Sequence, residues 1–437
     1  MEPKKPAIFL HIGAMKTGTT FLQHLMDANR KNLLAAGLLV AGDTTEQVQA
    51  TIDILGTAKT PATRASSAGV WAELAGRMQA HQGTASVFSM EFLSFAGPKQ
   101  AARVVDSLEG AEVHIILTVR DATGALPSQW QTHTRSGGAV SWPRFAKGVK
   151  KGLRVDAPVR SRSARTFVRT QGIPRMLDAW GSAVPPGRLH VITVPKSGSD
   201  PMLLWERFAG VVGVDPAACS ISISRKKPSL GYPSADLMRR LNARLGKIPK
   251  EHYKPNVKVA LGMQILAERA PLEQRAQLDV STGRFAANWN RRVRRAIKAS
   301  GADLVGGLHE LPVRVPDEVA QSLPKTLSLP DDPQVLAAAT TARDGLLVRI
   351  QARADQLQAI GAETDLSVVD FAGVPTSVER WQGEPEPVDA AVDEVATLVR
   401  VTIELQTSVE EATTAAETSE EGPASVPDEV DQSAVAR

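Results

Sequence analysis

Cysteine is almost absent from this sequence of 437 residues, in which Cys219 is the single example. One cysteine excludes an internal disulfide and a metal site built from cysteines alone, and it is typical of a reducing compartment. Long apolar runs are also missing, because no stretch approaches ~18 consecutive apolar residues. We therefore expect a cytoplasmic protein without a transmembrane segment, in which Cys219 is a buried structural thiol and peripheral membrane contact stays open.

Aromatic residues make up only 4% of the chain, and no motif that reads bases is present, so charge alone would support a nucleic-acid binder. That charge is unevenly distributed. From Gly383 onward the chain carries 14 acidic and two basic residues, so the first 382 residues carry a net charge of +16. A basic body indicates an anionic ligand. The tail, biased towards Glu, Thr, Ala and Pro, is typical of disorder, and its removal should then cost no stability.

Short apolar runs alternate with segments of helical periodicity. The runs cover residues 7–12, 85–94, 111–120 and 188–194. Strands that alternate with helices predict an α/β fold with a parallel sheet flanked by helices. We expect an α/β domain over 1–310 with a basic insertion at 144–175, a helical extension over 311–382 that includes a helix at 333–361, and a disordered acidic tail over 383–437.

A lysine, a glycine and three threonines separate an apolar run from a helical pattern in FLHIGAMKTGTTFLQHLMD, residues 9–27. A loop that leaves a parallel strand and opens a helix presents unpaired N–H groups at the positive end of the helix dipole, so it attracts phosphate-like anions. In the phosphate loop of nucleoside triphosphatases, G-x-x-x-x-G-K-[ST], the lysine follows the second glycine. Here Lys16 precedes Gly18, which indicates a phosphate-binding loop of another kind.

The run KTGTTF, Lys16 to Phe21, resembles the 5′-phosphosulfate loop of the sulfotransferases, whose common form is P-K-[ST]-G-T-T-[WF]. A second segment, LTVRDATGALPSQW, has Arg120 at the end of an apolar run and Ser128 eight residues later, similar to the 3′-phosphate element of that family. The resemblance covers residues 7 to about 310 and is to bacterial sulfotransferase-like proteins. It implies a three-layer α/β fold of the phosphate-loop type, with 3′-phosphoadenosine 5′-phosphosulfate as co-substrate and no metal.

The resemblance also implies roles for particular residues. Lys16 would stabilise the leaving group, and the residues Thr17, Gly18, Thr19 and Thr20 would hold the 5′-phosphate. Phe21 would stack on adenine or belong to the core. Arg120 and Ser128 would bind the 3′-phosphate, and Arg225 and Lys226 match a basic loop of the family in part.

The base that activates the acceptor has two candidates. Glu91, at the end of the run 85–94 and supported by Ser89, matches the family's position for this base, although it could instead be a structural carboxylate. His133 is the rival. His11 and His114 lie within predicted strands and are expected in the core or supporting the site.

The acceptor is expected to be a hydroxyl of a glycan, a glycolipid or another polar metabolite, with the basic segment 144–175 and Arg135 on the acceptor side. Two other functions stay open. One is a divergent kinase or ATPase, in which Asp121 would bind a metal. The other is a non-catalytic protein that retains nucleotide binding.

Overall fold

The computed structural model describes residues 5–153, 159, 161–196, 198–221, 230–362 and 364–420. The chain divides into two compact units. The first comprises residues 1–133, 140–227 and 276–329, and the second comprises 134–139, 228–275 and 330–437. The expected boundary near residue 310 therefore lies within the first unit. Within the described ranges, no helix is long and apolar enough to cross a membrane.

A six-stranded parallel sheet forms the centre of the first unit and confirms the predicted α/β class. The strands are β1 (Ala7–His11), β2 (Leu38–Val40), β3 (Ala85–Ser89), β4 (Glu112–Val119), β5 (Leu189–Thr193) and β6 (Asp303–Val305). Their order is β2-β3-β1-β4-β5-β6. The chain moves from β1 to one side of the sheet and returns through β4 to the other, so β1 and β4 flank the point where ligands bind in open α/β sheets.

Helices flank this sheet. Those of the first unit are α1 (Thr19–Ala28), α2 (Arg30–Ala35), α3 (Thr44–Leu55), α4 (Pro61–Ser67), α5 (Val70–Ala80), α6 (Pro98–Asp106), α7 (Ala122–Arg135, whose last two residues belong to the second unit), α8 (Trp142–Gly152), α9 (Arg162–Gln171), α10 (Ile173–Gly181), α11 (Leu203–Val212), α14 (Val280–Ser300) and α15 (Asp317–Ser322). Short 3₁₀ turns occupy Glu91–Phe95, Pro216–Ala218 and Leu308–Glu310.

The four predicted strands are present within one or two residues, except at the end of β3. That strand ends at Ser89, and Glu91 begins a 3₁₀ turn instead of continuing the strand. One core lies between β1, β3 and helices α1 and α11, where Phe9, Leu22 and Trp205 are buried. Cys219 packs against it but is half-buried, where a buried thiol is predicted, and burial raises the pKa of the thiol to about 12.

The second unit is helical. It contains α12 (Tyr232–Leu245), α13 (Lys250–His252), a π-helix (Tyr253–Ile265), a 3₁₀ turn (Leu266–Arg269), α16 (Asp332–Ala359), a 3₁₀ turn (Val378–Trp381) and α17 (Pro387–Glu420). α16 and α17 form its most extensive helix pair, and α12 packs against both. The helix predicted at 333–361 is confirmed by α16.

The disorder predicted from residue 383 is wrong for most of that segment. α17 covers Pro387–Glu420, and residues 421–437 lie outside the described residues. The acidic composition concealed an apolar stripe, because Val388, Val392, Val395, Val399 and Leu405 recur at helical spacing and are buried. The acidic side chains lie between these positions, so the segment is an amphipathic helix rather than a solvating tail.

Candidate active site

The loop from β1 to α1 has a strained backbone at its lysine. Gly13 and Gly18 have φ of 55° and 88°, in the left-handed region that glycine tolerates. Lys16 has φ 68°, and it is the one described non-glycine residue with a positive φ. Such strain in a side-chain-bearing residue tends to cluster at ligand-binding sites.

The N-terminus of α1 completes this loop. Gly18 caps the helix without a side-chain hydrogen bond, and its carbonyl accepts the amides of Phe21 and Leu22 at 2.9 and 3.1 Å. The amides of Thr19 and Thr20 therefore precede the first of these hydrogen bonds, at the end of the helix dipole that attracts anions. Thr20 is exposed and Lys16 half-buried, whereas Thr19 is buried.

Below the loop, four side chains form a buried hydrogen-bond chain, which we call the neutral network. His11 Nδ1 lies 2.7 Å from Ser89 Oγ, and its Nε2 lies 3.3 Å from Thr118 Oγ1. Thr118 Oγ1 is in turn 2.6 Å from Thr17 Oγ1, which donates to the carbonyl of Ala14 at 2.5 Å. Complete burial lowers the pKa of His11 to about 3, so the imidazole is uncharged at neutral pH.

The neutral network contains three residues that the sequence analysis names. His11 is a supporting core residue, as expected for a histidine in a strand, and Ser89 bonds to it rather than to Glu91. Thr17 is completely buried, and its hydroxyl is used inside the loop. Its side chain therefore shapes the loop, while its backbone remains part of the expected phosphate cradle.

Glu91 lies beside the loop. A Cβ placed on Gly13 would come within 3.3 Å of Glu91 Cβ, so the 3₁₀ turn after β3 packs directly on the loop. Gln23 of α1 donates from Nε2 to the Ser89 carbonyl at 2.7 Å and to Glu91 Oε2 at 3.2 Å. The carboxylate is half-buried and accepts this hydrogen bond from a neutral amide.

Arg120 follows β4 directly and lies over the first turn of α7. A Cβ on Gly124 would come within 2.9 Å of Arg120 Nη2, so the absence of a side chain at Gly124 makes room for the guanidinium. Ser128 lies one helical turn beyond Gly124 and therefore shares its face of α7. Arg120, which precedes α7, is exposed, and Ser128, within α7, is half-buried.

Asp121, the next residue, has a structural role at the start of α7. Its Oδ1 accepts the Thr123 amide at 3.0 Å and Asn290 Nδ2 at 2.6 Å. Asn290 Oδ1 also accepts the Ala122 amide at 3.0 Å. These contacts join α7 to α14 and occupy the carboxylate that the kinase alternative would need for a metal.

The basic segment 144–175 forms α8, α9 and the beginning of α10, although residues 154–158 and 160 lie outside the described residues. Its last part contacts the site. Gln171 donates to the carbonyl of Met15 in the loop. Arg175 donates to the carbonyls of Ser94 and Ala96, and the Arg169 guanidinium lies 4.2 Å from the centroid of the Phe95 ring. The segment therefore supports both the loop and the turn that contains Glu91.

Other predicted residues lie elsewhere. His133 is half-buried near the end of α7, where burial and nearby Arg162 lower its pKa. Phe21 is half-buried and packs against the core, which favours a core role. Burial also lowers the pKa of Arg135, and His114 stacks on Phe9 within the sheet. Arg225 and Lys226 lie outside the described residues.

The topology brings three predicted groups to one edge of the sheet. Lys16 follows β1, Glu91 follows β3 and Arg120 follows β4, and these are three adjacent parallel strands. Since parallel strands end at the same edge, the three groups lie at the edge where ligands bind in open α/β sheets, beside the neighbouring strands β1 and β4. Sequence reasoning missed Thr118, Gln23 and Gln171. Only Thr118 left a signal, as a polar residue near the end of an apolar run.

The comparisons with known proteins give little. No protein-family model matches the chain, and no curated protein matches it. Among solved structures, the chain is similar to a crystal structure of a sulfotransferase from Alicyclobacillus acidocaldarius, with 15% sequence identity and a TM-score of 0.35 over 51% of this chain and 87% of that chain. A likeness at this TM-score carries no argument about fold or function.

Proposed function

We propose that this protein is a sulfotransferase that transfers a sulfuryl group from 3′-phosphoadenosine 5′-phosphosulfate to an acceptor hydroxyl. The observation that carries the proposal is the convergence of the KTGTT loop, Glu91 and Arg120 at the carboxyl edge of β3, β1 and β4. The motif match and the strand order are independent lines of support, because the motifs could occur in the sequence without β3, β1 and β4 being neighbours in the sheet.

The nucleotide would be held at its two phosphate ends. The amides of Thr19 and Thr20, the dipole of α1 and the Lys16 ammonium would bind the 5′-phosphosulfate. Arg120 would bind the 3′-phosphate through its planar guanidinium, with the Ser128 hydroxyl as a further donor. Phe21 is better placed in the core than against adenine. Arg225 and Lys226 remain proposed contacts on sequence grounds alone.

In the reaction, the acceptor oxygen would attack sulfur in line with the bond from sulfur to the 5′-phosphate oxygen. The new oxygen–sulfur bond forms as that bond breaks, and the leaving electron pair passes to the 5′-phosphate, whose charge Lys16 would stabilise. The acceptor proton would pass to Glu91, and general bases of this kind contribute about 10²–10⁴-fold to rate.

Geometry favours Glu91 over His133 as this base. Glu91 packs on the loop itself, whereas His133 lies eleven residues into α7 from Ala122. At a rise of ~1.5 Å per residue, that places His133 about 16 Å along the helix from the end that carries Arg120. The acceptor would be a hydroxyl of a glycan, glycolipid or polar metabolite, approaching beside Arg169 and Phe95.

The first test is calorimetric titration with 3′-phosphoadenosine 5′-phosphate and, separately, with Mg·ATP. We expect metal-independent binding of the bisphosphate that weakens about tenfold or more in Lys16→Ala and in Arg120→Ala, since each removes a charge-assisted contact. Adenosine 5′-phosphosulfate, which lacks the 3′-phosphate, should lose affinity in Lys16→Ala but little in Arg120→Ala.

Lys59→Ala, an exposed lysine before α4, is the matched control and should bind both nucleotides like the wild type. Binding of Mg·ATP without binding of the bisphosphate would favour the kinase alternative. If Arg120→Ala lowered the affinity for 3′-phosphoadenosine 5′-phosphate and for adenosine 5′-phosphosulfate equally, this would contradict the proposal that Arg120 binds the 3′-phosphate.

A further inference from the structure

A surface cavity of about 710 Å³ lies in the second unit. Its walls are the loop Gly246–Lys250, the start of the π-helix, and Ser136 and Gly137. Four lysines line it: Lys247, Lys250, Lys254 and Lys258. Among the described residues, no carboxylate belongs to its lining. We call this feature the lysine cavity.

The second unit separates its two kinds of cation. The four lysines of the cavity are all the lysines that this unit contains. Many of its arginines instead form ion pairs inside the unit, as Arg239 and Arg240 do with the buried Asp236. Within the described ranges, Lys247, Lys250 and Lys254 form no ion pair, and all three are exposed. The arginines therefore stabilise the fold, while the lysines concentrate charge in one place.

The spacing of Lys250 and Lys254, the two exposed lysines of this helical series, is unfavourable without a ligand. Lys250, Lys254 and Lys258 follow one another at intervals of four residues along α13 and the π-helix. Like charges at this interval repel each other. A ligand with anionic groups about 5–6 Å apart, one helical turn, would relieve that repulsion at two or more positions. Two or more anionic groups therefore fit the cavity better than a single one.

The wall of the cavity is built on fixed polar contacts. Asn242 donates from Nδ2 to the carbonyls of Thr134 and Gly138 at 2.8 and 2.9 Å, and the Tyr253 hydroxyl donates to Asn242 Oδ1 at 2.8 Å. Burial raises the pKa of Tyr253 to about 12, so the phenol adds no negative charge. Ile248 and Pro249 supply an apolar surface beside the lysines, which suits a ligand with a carbon skeleton.

We propose that the lysine cavity is a second anion site, which binds a small organic ligand carrying two or more sulfate, phosphate or carboxylate groups. The site is made of residues of the second unit alone, so the proposal does not depend on the sulfotransferase function.

The test uses three probes in calorimetry: myo-inositol hexakisphosphate, sucrose octasulfate and inorganic phosphate. We expect one molecule of a polyanion to bind at least about tenfold more tightly than phosphate, since several charge-assisted contacts form at once. Tighter binding of myo-inositol hexakisphosphate would favour a phosphorylated ligand, and tighter binding of sucrose octasulfate would favour a sulfated one. Equal binding would indicate that the spacing of the charges determines affinity.

Lys250→Glu with Lys254→Glu should weaken this binding at least about tenfold, because both charges are reversed. The matched control is Lys31→Glu with Lys59→Glu, which makes the same change of net charge at exposed lysines of the first unit and should leave the affinity nearly unchanged. A neutral version, Lys250→Gln with Lys254→Gln, avoids new ion pairs, and circular dichroism checks the fold of each variant.

Three results would overturn the proposal. The first is no preference for a polyanion over phosphate. The second is equal weakening in both charge-reversed pairs, which would mean attraction by net charge only. The third is binding that disappears in Lys16→Ala but not in the cavity variants, which would place the polyanion on the β1–α1 loop.

Discussion

Each unit of this protein contains a buried polar network, and the two networks differ in charge. In the first unit, the neutral network joins His11 to Ser89, Thr118 and Thr17. In the second unit, Arg343 is completely buried and donates to Glu394 at 2.8 Å and to Thr376 at 2.8 Å. Arg380 and Trp381 also bond to Glu394, so a charged network links α16 to α17.

The difference teaches what each network does. A buried ion pair must be well paired to offset its desolvation, so a charged network ties together the elements that supply its partners. A network of hydroxyls and a neutral imidazole adds no net charge. It can therefore shape the β1–α1 loop, while in the proposed function the electrostatic attraction for an anion would come from Lys16 and from the end of α1.

The largest effect is expected where the apolar stripe of α17 is broken. Val395 is completely buried, whereas Thr397 on the same helix is exposed. Val395→Asp should lower the free energy of unfolding by about 5 kcal/mol or more, because valine burial is lost and a carboxylate is buried without a partner. Thr397→Asp, which introduces the same side chain at the surface, should change it by about 0.5 kcal/mol or less. Urea denaturation measures both, and an equally small effect of the two substitutions would mean that this segment is a disordered tail.

The second largest loss in the free energy of unfolding is expected when the charged network is broken at Arg343. Arg343→Ala should lower the free energy of unfolding by about 3–5 kcal/mol, as breaking a buried ion pair usually does. Arg380→Ala removes a more exposed partner of the same Glu394 and should cost about 1 kcal/mol or less. Denaturation curves of the two variants check this ratio. Similar losses for both would mean that burial of Arg343 is not what makes the network costly to break.

The smallest effect is expected at the neutral network, and only in acid. The pKa of His11 falls from 6.5 to about 3 on folding, so below its unfolded value the unfolded chain binds a proton that the folded chain does not. This contribution to stability is complete above pH ~6.5 and is lost as the pH falls towards ~3, at about 1 kcal/mol for each pH unit.

His11→Asn removes this titration. Between about pH 6 and pH 4, its free energy of unfolding should therefore depend less steeply on pH than that of the wild type, by about 1 kcal/mol per unit. Urea denaturation at several pH values measures the slope. An unchanged slope would mean that folding does not lower the pKa of His11, so that the folded protein takes up a proton at this residue in mild acid.

The longer strands could be predicted from the sequence because each is a continuous apolar run followed by a turn. β2 and β6 could not, since three residues such as Leu38–Val40 are too short to show a period. The acidic composition of residues 383–437 as a whole does not reveal α17. Its apolar residues carry the structural information at their helical spacing, not in their number.

The candidate site could be predicted where its residues lie in motifs that come soon after a strand. Lys16 and Arg120 stand in motifs at strand ends, and a parallel sheet brings such ends together. The supporting residues could not be predicted in the same way. Gln171 reaches the loop from α9, and Gln23 reaches Glu91 from α1. Both contacts depend on how helices pack on the sheet, which no local pattern encodes.

Gln23 gives α1 a further consequence. The amides of Thr19 and Thr20 open this helix, and Gln23, one turn later, bonds to both the backbone of Ser89 and the carboxylate of Glu91. A rise of about 6 Å over these four residues therefore separates the amides that open α1 from the side chain that holds the Glu91 carboxylate. Because one helix carries both features, a shift of α1 along its axis would move the loop amides and the hydrogen bond to Glu91 together.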